Sequence, residues 1–166
     1  MINIEYDRMA AVEYAKKWAL SRNPIYYDYE QIGGDCTNFI SQCVYAGCGV
    51  MNYNENNGWY YLDANNKSPS WSGVSFFYDF MLNNQGVGPY GIAATLGDII
   101  PGDVIQLGNN YGIYYHTLIL TDIVRTRRGI RYLVCAHSVD SYMRDLRSYN
   151  FRTLRCIHIS GARAEQ

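Results

Sequence analysis

Tyr6, Met9, Ala10, Ala15, Trp18 and Ala19 recur at three- and four-residue spacings, and Glu13, Lys16 and Lys17 supply a polar side. This pattern predicts an amphipathic helix over residues 5–21, stopped by Asn23-Pro24. A tyrosine-rich loop, Ile25-Tyr26-Tyr27-Asp28-Tyr29, then leads to Gly33-Gly34-Asp35-Cys36. From Cys36 to Ala46 the apolar positions Phe39, Ile40, Cys43 and Val44 again follow helical spacing, with Gly47 and Gly49 as the stop.

The pattern fades over residues 50–73, which are rich in Asn, Gly, Ser and Tyr and hold two tryptophans; this reads as a long functional loop or lid. Val74–Leu82 predicts a short helix. Residues 86–91 spell GxGxxG, yet no strand precedes them and Pro89 interrupts the turn, so a plain loop is expected. The period then shortens. Asp103–Leu107, Tyr115–Val124, Arg131–His137 and Arg155–Ile159 are β-branched and aromatic runs, with Arg125–Gly129 as a hairpin connection. Helices first and antiparallel strands afterwards imply an α+β fold, a single domain over 1–166 with helices packed on one face of a sheet.

Composition narrows the function. The net charge of −1 and pI near 6.3 lack the basic excess that phosphate neutralisation needs, so nucleic acid is not an expected partner. The 17 tyrosines suit recognition of peptides or sugars, although most rings are expected to fill the core. Five cysteines cannot pair completely, and the gaps between Cys36, Cys43 and Cys48 fit no common zinc spacing. Reduced thiols follow, which fits a reducing compartment or an exported protein keeping a thiol for chemistry. No apolar leader opens the chain and no run reaches the length of a membrane span. The expectation is a cytoplasmic protein as the chain stands, or a domain excised from an exported one.

Cys36 is the strongest candidate for chemistry. It opens a predicted helix, whose free N–H groups favour a thiolate, and Gly33-Gly34 leave its sulfur uncovered. Cys43, Cys48, Cys135 and Cys156 fit the ordinary fate of a small buried hydrophobe. The base must come from three histidines. His116 lies in the strand Tyr114–Leu120, and His137 ends the next strand at the same open end of the hairpin. There His137, or a carboxylate such as Asp140, could orient the His116 ring. His158 has no obvious partner. Asp35, beside the nucleophile in a turn, is expected to cap the helix.

The run Asn23-Pro24, Tyr27 and Gly33-Gly34-Asp35-Cys36-Thr37-Asn38-Phe39-Ile40-Ser41-Gln42 resembles the signature of the putative amidase domains of Gram-positive bacteria. These belong to the papain-like clan, with the NlpC/P60 and CHAP cell-wall peptidases. The likeness continues in Trp71-Ser72, in Pro101-Gly102-Asp103-Val104-Ile105 and through His116 to Ala136-His137-Ser138 and Asp140. It implies a papain-like, NlpC/P60-like fold in which Cys36 heads a helix on a small antiparallel sheet carrying His116. The clan's third polar residue falls on His137, with Asp140 and Asp122 as substitutes. Tyr27, Asp35 and Trp71 would belong to the substrate site, Tyr27 as an oxyanion donor. The implied reaction is cofactor-free hydrolysis of a peptide or amide bond, with peptidoglycan stem peptides favoured. Acyl transfer or deamidation on the same pair is a rival, as is a non-catalytic aromatic cleft that holds a cell-wall or peptide ligand.

Overall fold

A computed structural model describes all residues 1–166. Strand β1 (Ile2–Ile4) precedes helix α1 (Arg8–Trp18), whose N-terminus is capped by Asp7 accepting from the Ala10 N–H at 2.9 Å. Ala11 and Ala15 are buried, while Lys16 and Lys17 oppose the helix dipole at the last turn. Helix α2 (Cys36–Cys48) is the central helix: 11 of its 13 residues are buried, so polar residues inside it need protein partners. Gly49, at φ 69°, ends it in the left-handed conformation.

Residues 50–73 form no lid. They fold as the hairpin β2 (Tyr61–Asp63) and β3 (Asn66–Lys67) and a single turn α3 (Pro69–Ser72). Trp59 and Trp71 are fully buried with ring centroids 4.7 Å apart. The weak periodicity of this stretch hid a core segment, because two large aromatic rings bury as much surface as a longer run of aliphatic residues. Helix α4 (Val74–Asn83) follows. The expected loop at 86–91 is largely strand: β4 (Gly88–Ala94) pairs antiparallel with the last strand, Pro89 opposite Ala162. β4 has β9 as its one partner, and an edge strand tolerates a residue without an N–H.

The remaining strands are β5 (Val104–Gly108), β6 (Tyr114–Thr126), β7 (Gly129–Ala136), β8 (Ser141–Asp145) and β9 (Thr153–Ala164). The sheet runs β1-β9-β5-β6-β7-β8, with β4 also on β9 and every pairing antiparallel. The chain is therefore α+β. Side chains alternate across β6. Ile119 faces the helices with Phe39, Ile40, Val44 and both buried tryptophans, whereas Leu118 and Leu120 join Ile105, Leu107 and Val134 in a smaller core behind the sheet. All five residues of β5 are buried, since the sheet curls and covers its own second face.

Asp103 explains the Pro-Gly-Asp run. It is inaccessible, and its carboxylate accepts from Arg8 Nη1 at 2.7 Å, the Ile159 N–H at 3.0 Å and the Ile100 N–H at 2.9 Å. His158 Nδ1 lies 2.9 Å from the same group, so this histidine has a buried partner that the sequence did not suggest. Gly102 has φ 94°, and a Cβ there would meet Arg8 at 3.1 Å. No helix is long and apolar enough to cross a membrane.

Candidate active site

Five polar side chains of the run 35–42 are spent on structure. Asp35 Oδ1 accepts from the Tyr29 N–H at 2.9 Å and from Asn38 Nδ2 at 2.8 Å, and Oδ2 lies 2.5 Å from His137 Nδ1. Asn38 also donates to the Tyr27 carbonyl at 3.0 Å and accepts from Trp71 Nε1 at 2.9 Å. Ser41 donates to the Trp71 carbonyl and accepts from Trp59 Nε1. Gln42 accepts from the Tyr14 hydroxyl at 2.7 Å, and Thr37 shares a 2.8 Å bond with Thr117 on β6. A buried helix needs such partners for each polar group it carries. The specificity of this run is thus largely a hydrogen-bond specification.

Asp35 does not cap α2. Its carboxylate turns away toward His137, and the first-turn N–H of Cys36 donates to no group in the chain. Gly33 and Gly34 take φ of 97° and 101°, a region closed to most side chains, and the Asp35 N–H reaches Ser138 Oγ at 3.0 Å. The loop is thereby pinned to the β7–β8 turn, with Cys36 at its exit.

The Cys36 sulfur lies 3.7 Å from the Thr37 hydroxyl and beside the backbone N–H groups of Thr37 and of Thr117, the residue after His116. Burial pushes the thiol pKa up; the Thr117 and Thr37 groups pull the other way without reversing it. A helix N-terminus alone suggests a ready thiolate, but 8% exposure leaves desolvation the larger effect. His116 is 9% exposed, and neither ring nitrogen has a hydrogen-bond partner or is sealed from solvent. Burial, with a smaller contribution from the Arg144 charge, lowers its pKa to about 4. At neutral pH the site therefore holds a neutral thiol and a neutral imidazole, with no hydrogen bond between them.

The remaining expected site residues fall elsewhere. His137 is 1% exposed, stacks on Phe39 at 3.8 Å and has its Nε2 2.8 Å from the Trp18 carbonyl, so both nitrogens are occupied away from His116. Asp140 is engaged by Arg22 through contacts of 2.8 and 3.0 Å, and Asp122 is exposed on β6. No polar side chain orients the His116 ring by a hydrogen bond. Tyr27 is 43% exposed and its ring packs against Tyr29. Trp71 is wholly inaccessible, so it supports the site from below and cannot line a cleft. Trp71→Phe strands the buried Asn38 acceptor and opens a void, and a loss of about 2–4 kcal/mol in urea unfolding is expected. All five cysteines are free and buried. A cleft of about 650 Å³ lies apart from Cys36, between the Asn52–Gly58 loop and α4.

Sequence reasoning missed the Thr37–Thr117 clasp that docks α2 on β6, and it missed Arg144 and Tyr149 beside His116. Nothing local marks these residues; they meet only through strand pairing.

Comparison with known proteins adds family information. The family described as "Putative amidase domain" matches residues 5–159. The uncharacterized protein YhbB of Bacillus subtilis (strain 168) is 35% identical over 144 residues, covering 84% of this chain and 44% of that protein. The uncharacterized protein YjcM of the same strain is 28% identical over 143 residues, covering 81% of the chain and 31% of that protein. The chain thus spans less than half the length of either relative. No solved structure matches.

Proposed function

Since the chain belongs to the putative amidase domain family, we propose that it hydrolyses amide bonds with Cys36 as nucleophile and His116 as base, on a papain-like scaffold. The observation that carries this reading is a contrast within one run of residues. Asp35, Thr37, Asn38, Ser41 and Gln42 all have partners, whereas Cys36 has a free backbone N–H and a sulfur beside the first residues of β6.

In the reaction, His116 takes the Cys36 proton as the sulfur attacks the amide carbonyl. The tetrahedral oxyanion accepts from the Cys36 N–H, with Tyr27 as a second donor at the mouth. His116 then passes its proton to the leaving nitrogen as the C–N bond breaks, leaving a thioester. Water attacks that thioester, His116 accepts its proton, and the C–S bond breaks to release a carboxylic acid and the thiol. Proton transfer requires thiol and ring to close to hydrogen-bond distance in the substrate complex. His137 serves here as a positioning residue that holds Asp35 and thereby the start of α2. The favoured substrates are peptidoglycan stem peptides.

The two pKa directions make the test specific. A base must be neutral to accept a proton, and with a value of about 4 the His116 ring stays neutral down to roughly pH 5. Site-resolved iodoacetamide labelling should find Cys36 reacting faster at pH 7 than the other four cysteines, with the rate falling as pH drops toward 4. His116→Ala should slow that labelling about tenfold or more at pH 7 and converge with wild type at high pH, where thiolate forms unaided. Equal rates in the two proteins would sink the nucleophile–base pair. Cys36 labelling no faster than the buried cysteines would favour a non-catalytic binding module.

A further inference from the structure

At the open end of β6, beyond its last pairing with β7 at Ile119 and Cys135, His116 is one of three side chains brought together by an irregularity in β8. Ala136 pairs with Ser141 and Val134 with Arg144, so two steps along β7 face three along β8. The extra residue is accommodated where Met143 takes φ 49°, a left-handed conformation rare for an unbranched side chain outside turns. In a regular strand Ser141 and Arg144 would lie on opposite faces. The bulge turns Arg144 onto the face of its partner Val134, which is also the face of Leu118, Leu120 and His116. Bulges that re-aim a side chain cluster beside functional sites.

Tyr149 completes the group. Its ring centroid lies 5.8 Å from that of His116, and the Arg144 guanidinium sits 3.7 Å above the Tyr149 ring. Arg144 Nε donates to Ser148 Oγ at 2.7 Å and one terminal nitrogen to the Ser148 carbonyl at 3.1 Å, which fixes the plane of the guanidinium. Its other terminal nitrogen has no partner, and no carboxylate lies within ion-pair distance of Arg144. The Tyr149 hydroxyl is buried with no hydrogen-bond partner at all. A fixed cation without a counter-ion, beside an orphaned hydroxyl, is an arrangement an anionic oxygen ligand would satisfy.

We propose that Arg144 and Tyr149 form a carboxylate-binding subsite beside His116, so that the substrate carries a carboxylate close to its scissile amide. This rests on the assignment of Cys36 and His116 made above. It also gives the Arg144 charge a purpose: an unpaired cation disfavours protonation of the neighbouring ring, and a substrate carboxylate on Arg144 would offset that penalty as His116 takes the thiol proton.

Two alkylating reagents that form the same S–CH2 bond and expel the same iodide test this without a known substrate. Iodoacetate carries a carboxylate beside the attacked carbon, and iodoacetamide a neutral amide. The ratio of their rates at Cys36 cancels effects common to both. In the wild type this ratio should exceed that of a free thiol such as N-acetylcysteine. Arg144→Gln should lower it about tenfold or more, the range of a charge-assisted hydrogen bond. Arg144→Lys should restore part of it, and Tyr149→Phe, which keeps the ring but removes the hydroxyl, should lower it less. A ratio equal in wild type and Arg144→Gln, with Cys36 still labelled by iodoacetamide in a His116-dependent way, would overturn the subsite and leave the nucleophile–base pair standing. Loss of His116-dependence in the wild type would remove both.

Discussion

Cys36→Ala is expected to abolish the release of new amino groups from a peptidoglycan digest, and His116→Ala to lower it by about 10²–10⁴-fold. The two differ because they remove different things. Without the sulfur the proposed thioester cannot form. Without His116 the sulfur remains, but burial holds its proton, and the one side chain that hydrogen-bonds it, the Thr37 hydroxyl, is no base near neutral pH. The residual rate of His116→Ala should therefore rise with pH, whereas the wild type should be nearly flat from about pH 5 to neutrality. Amine release, followed by mass analysis of the products, measures both. A Cys36→Ala protein that still cleaves would dismiss the covalent route. One that retains tight binding of the fragments without cleavage, alongside a wild type that also fails to cleave, would establish the binding-module alternative.

Much of this geometry could be read in the chain before its fold was known, and the reasons are local. Helices α1, α2 and α4 declare themselves by three- and four-residue apolar spacing, and Cys36 by its place after two glycines. The strand carrying His116 is plain from Tyr114–Leu120. What failed depended on distant pairing. β4 begins with Gly88-Pro89, poor strand residues whose edge position only β9 explains. Asp35 reads as a cap from its position, but its carboxylate is drawn off by His137, a residue 102 positions away. The thiol reads as activated from the helix terminus; the opposite effect, burial, depends on how α2 docks against β6 through Thr37 and Thr117. Arg144 could not be assigned to the His116 face because strict alternation along β8 places it on the other one.

The same distant pairing makes Asp35→Ala the most damaging single change expected outside the chemistry. Its carboxylate is 1% exposed and is shared by four groups: the Tyr29 N–H, the Asn38 amide, the His137 ring and, at 3.8 Å, the Arg22 guanidinium. Removing it leaves the first two donors without their acceptor in the interior and takes the buried His137 ring's anionic neighbour. Breaking a buried, hydrogen-bonded pair from one side costs about 3–5 kcal/mol, a large part of the roughly 5–15 kcal/mol that holds a domain folded. Urea unfolding should show a loss in that range for Asp35→Ala. Asp35→Asn should lose less, since its carbonyl can still serve Tyr29 and Asn38 while its NH2 faces His137. His137→Ala vacates the space beside Phe39 and should couple to Asp35→Ala: the double variant should lose clearly less than the sum of the singles. Additive losses would mean that the two side chains stabilise the fold separately, and a loss below about 1 kcal/mol for Asp35→Ala would mean that the network is not what holds the Cys36 loop. If the coupling is found, the partly stable Asp35→Asn protein isolates the role of the network in chemistry. With the fold retained, Cys36 labelling in that variant should slow, because the turn that presents the sulfur to the first residues of β6 has lost its anchor.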